Sequence, residues 1–129
     1  MESMEPTTEP TIEGSGFLHS DDAIDQCIQD CLTCYQACLN CISHCLDRGG
    51  EHSSKNHITL MMECAQICNT CASMLRMNGR YSDELCKLCS TICDACEANC
   101  RSMDVNDLVM QRCADDCARC ADSCRNMVH

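Results

Sequence analysis

The chain is short of the residues that usually anchor a core: no tryptophan, two tyrosines and one phenylalanine in 129 residues. Leucine, isoleucine, methionine, alanine and sulfur must fill the interior instead. Basic residues are scarce too, with nine Lys and Arg against 20 Asp and Glu, a formal charge of −11, and no cationic side chain of either kind before Arg48. So acidic a surface repels a phosphate backbone, which argues against nucleic-acid binding and against a DNA-binding metal sensor. The segment MESMEPTTEPTIEGSGFL has four glutamates, no Lys or Arg and no apolar run of seven, so it reads as neither a signal peptide nor a membrane span. A cytoplasmic location is expected, where thiols stay reduced. Both prolines and two of the five glycines fall in residues 1–16, which makes residues 1–19 a flexible acidic tail, with Phe17 and Leu18 pinning its end.

What is abundant is cysteine, 18 in all, and its spacing is helical. Cys27, Cys31, Cys34, Cys38, Cys41 and Cys45 step alternately by four and three. At ~100° per residue that span closes ~5 whole turns, so six thiols share one face of a helix ~27 Å long. The rhythm recurs at Cys64, Cys68 and Cys71, at Cys86, Cys89, Cys93, Cys96 and Cys100, and at Cys113, Cys117, Cys120 and Cys124. Core positions that would ordinarily be leucine are sulfur.

Capping residues divide the chain into four helices. Ser20, followed by Asp21 and Asp22, starts the first, which stops at Gly49 and Gly50. Ser53, Ser54 or Asn56 caps the second, which ends near Asn78 and Gly79; Ser82 opens the third. The third join has no glycine, and Asp104, with Asp107 three residues later, is the expected cap of the fourth. The helices are expected at about 21–47, 54–78, 83–102 and 105–127, within a domain of residues 20–129. Short loops make neighbours antiparallel, giving an all-α, up-down-up-down four-helix bundle with a cysteine-lined core. Apolar rails flank the sulfur: Ile28, Leu32, Tyr35, Leu39, Ile42 and Leu46; Leu60, Ile67 and Met74; Leu85, Leu88, Ile92 and Ala95; Ala114, Ala118 and Ala121. They are expected to seal the helix seams, with any surplus forming an oligomer interface.

One or two buried cysteines would mean only packing, but 18 in register mean more. Disulfides do not suit i+3 and i+4 neighbours on one helix in a reducing compartment. A thiol redox protein needs an exposed, low-pKa cysteine with a resolving partner, and none stands apart from the stripes. Iron–sulfur ligation commonly uses CxxCxxC runs in loops, which the chain lacks. Zinc sites favour isolated tetrahedra, each burying about two net negative charges, whereas a monovalent ion neutralises thiolates one for one. A soft monovalent ion content with two or three thiolates is copper(I). A CxxxC or CxxC pair can bracket one ion, a facing helix can add a third sulfur, and the next ion shares a ligand.

Extending the stripes beyond the last cysteines distinguishes the two ends. One continues into Ile24, Leu75 and Met127, an apolar plug. The other continues into His57 and Met61, Met103, and Asn106 and Met110, with His44 beside Cys45. Soft and borderline donors there can take copper(I) from a carrier and hand it to thiolates, and His57 and Met61 are the main candidates. His44, Met103 and Met110 are weaker candidates, because a methionine in register commonly fills a core; His52 and His129 look incidental.

From about residue 20 to 129, the CxxxCxxCxxxC pattern on four consecutive helices resembles the bacterial copper storage protein family, in its cytosolic branch. The resemblance implies a cysteine-lined four-helix bundle holding many Cu(I) ions per chain, assembled as a homotetramer, with His and Met near its open end. His57 and Met61 match that last feature. The expected function is storage or sequestration of copper(I) by the 18 cysteines, with copper donors and acceptors as partners and no catalytic residue. The alternatives are a metallothionein-like zinc or cadmium buffer and a thiol redox protein.

Overall fold

Four amphipathic helices alternate in direction around a sulfur core. In the computed structural model, which describes residues 21–128, α1 spans Asp21–Arg48, a 3-10 turn spans Gly50–Ser53, α2 spans Lys55–Arg76, α3 spans Ser82–Met103 and α4 spans Leu108–Asn126. The expected tail, Phe17, Leu18, the Ser20 cap and His129 lie outside the described residues. Helix α1 packs on α2 and α4, and α3 packs on the same two, so the helices follow chain order around the ring. Sulfur contacts run in opposite senses along neighbouring helices: Cys71 meets Cys86 and Cys64 meets Cys93 across α2 and α3, while Cys31 meets Cys124 and Cys38 meets Cys113 across α1 and α4. The architecture is an up-down-up-down antiparallel four-helix bundle.

Local chemistry accounts for the turns. Gly49 and Gly50 have φ of 72° and 58°, where a Cβ is disfavoured, and they end α1. Ser54 accepts a hydrogen bond from the His57 backbone N–H at 3.4 Å and is the cap that starts α2. Asn78, at φ 55°, and Gly79 close α2 with bonds from Asn78 N–H to Leu75 O and from Gly79 N–H to Met74 O, a Schellman motif. Ser82 does not cap α3. Its hydroxyl donates instead to Gly79 O at 2.7 Å, and Tyr81 holds the cap position without a side-chain bond.

The α3–α4 join differs most from expectation. Asp104 accepts from the Asn106 N–H at 3.1 Å in an Asx-type turn and closes α3, so it is not the cap of α4. That role falls to Asp107, whose Oδ1 accepts from Val109 and Met110 N–H at 3.1 and 3.3 Å. Helix α4 therefore begins three residues later than expected, and Asn106 lies in the exposed turn rather than in the stripe.

The rails divide. Ile28, Ala114 and Ala121 are buried, while Leu32, Tyr35, Ile42, Leu60, Ile67, Leu85 and Ile92 are partly buried against the core. Leu39, Leu46, Leu88 and Ala95 are exposed and seal no seam.

Candidate metal centre

Each helix delivers its cysteines inward, and all 18 thiols are free and buried, none more than 2% exposed. The Sγ atoms form a continuous column. Cross-helix contacts run from 3.5 Å for Cys71 and Cys86 to 4.0 Å for Cys64 and Cys117, with Cys31–Cys120 and Cys68–Cys93 both at 3.6 Å. Metal–sulfur bonds of ~2.3 Å separate two sulfurs by ~3.8 Å in a tetrahedral site, ~4.0 Å in a trigonal one and ~4.6 Å in a linear one. Contacts this short already have the spacing of three- and four-sulfur sites, and the ~4.6 Å of a linear site lies within the 4.8 Å limit inside which the column's sulfurs group.

Three of the four four-cysteine groupings have the expected form, an i, i+4 pair completed by sulfurs of facing helices. One set takes a cysteine from each helix, Cys31, Cys71, Cys89 and Cys124; others are Cys34, Cys64, Cys68 and Cys93; Cys34, Cys38, Cys64 and Cys117; and Cys68, Cys89, Cys93 and Cys120. Within each set the sulfurs lie within 4.8 Å of one another. Contacts between i, i+4 neighbours occur as well, Cys41 with Cys45 and Cys89 with Cys93, both at 3.9 Å. The sets share members, so ions held in neighbouring sets must share thiolates. Sequence spacing defines the faces; the stagger of facing helices decides which sulfurs meet.

The thiols also tune one another. Cys64, Cys113 and Cys120 are held below the ordinary thiol range by hydrogen bonds from surrounding cysteines, led by Cys117, Cys100 and Cys124 respectively, against the opposing effect of burial. Cys68, Cys117 and Cys124 are held above it, first by the bonds they make to Cys120, Cys113 and Cys120, then by burial. A cation that replaces a proton shared between neighbouring thiols removes this competition. Cys45, at the end of the column, is pushed up mainly by burial.

The two ends carry different residues. Leu75 and Met127 are buried and Ile24 packs against them at the apolar end. At the other end His57 is 1% exposed and Met61 and Met110 are fully buried, while Met103 packs partly buried against the core. His57 Nε2 lies 3.4 Å from Cys45 Sγ, and its Nδ1 hydrogen-bonds Asn99 Oδ1. An acceptor at Nδ1 places the ring proton there and leaves the Nε2 lone pair facing sulfur. Asn99 escapes sequence reasoning because it sits one residue off the α3 stripe and has no metal-ligand chemistry of its own. His44 turns away from the column, with Nε2 2.7 Å from Asp107 Oδ2. His52, expected to be incidental, is brought to the same carboxylate, 3.3 Å from Asp107 Oδ2 and 3.6 Å from Asp104 Oδ2. Asp107 is held below the usual carboxylate range: burial pushes it up, but the His44 bond, the Met110 N–H and nearby positive charge outweigh that.

Comparison with known proteins places this geometry. The model of the family described as copper storage protein matches residues 20–129. A Nitrosospira multiformis protein, Nmul_A1745, is 39% identical, with a TM-score of 0.77 over 83% of this chain and 95% of its own. The Cu(I)-bound copper storage protein BsCsp3 of Bacillus subtilis is 34% identical, with a TM-score of 0.77 over 83% of this chain and 99% of its own. A cytosolic copper storage protein of Streptomyces lividans, solved with five coppers, is 27% identical, with a TM-score of 0.72 over 83% of this chain and 92% of its own. The chain belongs to the copper storage protein family.

Proposed function

We propose that the chain stores many copper(I) ions as thiolates of its 18 core cysteines, in the cytoplasm and without catalysis. The overlapping four-cysteine sets carry the reading. Shared ligands suit two- and three-coordinate copper(I), one charge per thiolate. Independent zinc tetrathiolates would compete for Cys34, Cys64, Cys68, Cys89, Cys93 and Cys124, each of which serves two of the four-cysteine sets or one of them and a further set with Cys27 and Cys86. A zinc or cadmium buffer would therefore fill to about a quarter of the thiol count.

His57 and Met61 form the mouth. They stand one turn apart on α2, in line with Cys64, and both are buried. Copper(I) delivered by a donor binds first at the His57 Nε2 lone pair, which Asn99 orients, and passes to Cys45 Sγ 3.4 Å away as that thiol gives up its proton. Met61 offers a neutral thioether on the way to Cys64. The burial of every thiol leaves no exposed cysteine to act as a redox nucleophile, which supports a store rather than a redox catalyst. No described helix is long and apolar enough to cross a membrane, in keeping with a cytoplasmic store. Exposed Leu39, Leu46, Met62 and Leu88 supply apolar surface for the homo-oligomer, a tetramer by family resemblance.

Anaerobic titration of reduced protein with copper(I) against a chromophoric chelator tests the reading. Saturation near one ion per thiol is expected. Saturation at one or two ions per chain would overturn storage.

A further inference from the structure

We propose that the mouth carries a second metal site of different chemistry, a two-histidine, two-carboxylate site for a zinc-type divalent cation formed by His44, His52, Asp104 and Asp107. The donors come from the end of α1, the 3-10 turn and the α3–α4 join. Asp107 is fixed by capping: Oδ1 accepts the Val109 and Met110 N–H groups, which leaves Oδ2 free to face the other three residues. Two imidazole Nε2 atoms converge on that oxygen, His44 at 2.7 Å and His52 at 3.3 Å, and Asp104 Oδ2 stands 3.6 Å from His52 Nε2. His52 Nε2 is buried, yet it makes no hydrogen bond to either carboxylate. That is an awkward arrangement for a ring nitrogen alone and a suitable one for a ring nitrogen that shares a cation with both carboxylates.

Metal–nitrogen and metal–oxygen bonds of ~2.0–2.2 Å put the donors of a tetrahedral zinc site ~3.3–3.6 Å apart. The two His52 separations, 3.3 and 3.6 Å, already fall at that edge. His44 is closer because it bonds directly to the carboxylate, and its ring must slip by ~0.6 Å to become a ligand. A dication balances the two carboxylates. Arg48 now lies 3.5 Å from Asp104 Oδ2 and 3.6 Å from Asp107 Oδ2, and, with its side chain 49% exposed, it is free to swing into solvent. Imidazole with carboxylate selects a borderline divalent ion over copper(I), so the site does not extend the thiolate column. Filling it would tie three separate segments together across the mouth.

The test uses the full chain with its core filled by copper(I), so that thiolates do not compete for zinc. Incubated anaerobically with zinc alone and desalted, the protein is expected to keep one zinc per chain with its copper unchanged. His52→Gln with Asp104→Asn should weaken zinc retention at least tenfold while preserving copper capacity and helical circular dichroism. His52→Gln alone serves if the double variant loses helicity. Cobalt(II) gives a second readout that does not depend on copper storage: the spectrum of the unaltered chain minus that of the variant should show ligand-field bands without sulfur-to-cobalt charge transfer. No retained zinc, retention equal in the variant, or a sulfur charge-transfer band in the difference spectrum would overturn the site. Failure of the core to take copper would count against storage alone.

Discussion

The two ends of the bundle share one scaffold and oppose each other in chemistry. At the α2–α3 turn, Leu75 and Met127 close the sulfur column with carbon, and Ile24 packs beside them. At the opposite end the column meets His57 and Met61, and outside them lies a ring of His44, His52, Asp104, Asp107 and Arg48. The cysteines alone make a tube without direction. Residues beyond the last cysteines distinguish the ends: apolar side chains at one, and at the other an imidazole whose Nδ1 is held by Asn99 and whose Nε2 faces Cys45, the basis of the direction proposed for the tube.

Proton release should separate the ends most strongly. Burial raises the Cys45 thiol, helped by the negative charge of Asp107, so near neutral pH the first thiol at the mouth is protonated. Each copper bound there displaces a proton, so apparent affinity rises with pH, about tenfold per unit for one proton, until pH passes the raised pKa. Competition against a chelator whose own pH dependence is known should therefore show a gain of about 100-fold between roughly pH 6 and 8 for the first ion. An affinity independent of pH would mean that the first ion meets thiolates already formed deeper in the column.

Substitutions at the two ends should then have opposite signatures. Leu75→Ala removes buried carbon at the plug and should cost about 2–3 kcal/mol in chemical unfolding of the apo protein, with copper entering the mouth at its usual rate. His57→Ala with Met61→Ala should slow copper loading about tenfold in stopped flow, a barrier change of ~1.4 kcal/mol, and leave capacity intact. Asn99→Leu should reproduce part of that slowing, because it frees the ring to take the other tautomer. Equal loading rates in the plug and mouth variants would abolish the distinction.

Legibility from sequence divides along the same line. The sulfur column is readable because a four-three step admits only one helical face, and the plug is readable by extending that step through Ile24, Leu75 and Met127. The outer ring is not. Both Asp104 and Asp107 have capping chemistry, and the Asx turn of Asp104 with Asn106 N–H decides between them. Starting α4 three residues later removes Asn106 from the stripe and turns Asp107 toward α1, where it meets His44. His52 reaches the ring only because Gly49 and Gly50 reverse the chain there. Neither event has a periodic signature. Helical pairs and shared ligands are legible in the spacing, but which facing sulfur completes each set is hidden, since periodicity fixes faces and not the axial stagger of one helix against the next.

The turns allow a finer test of the same contrast. Asn78 ends α2 at the plugged end with φ 55°, where a side chain with a Cβ is strained and asparagine is better tolerated than most. Asn78→Ala should therefore cost about 1 kcal/mol in unfolding free energy, and Asn78→Gly should be neutral or slightly stabilising. Neither change touches a metal donor, so copper loading should keep its rate. If Asn78→Ala slowed loading as much as the mouth variants do, copper would be passing through the plugged end, and the direction assigned to the tube would be reversed.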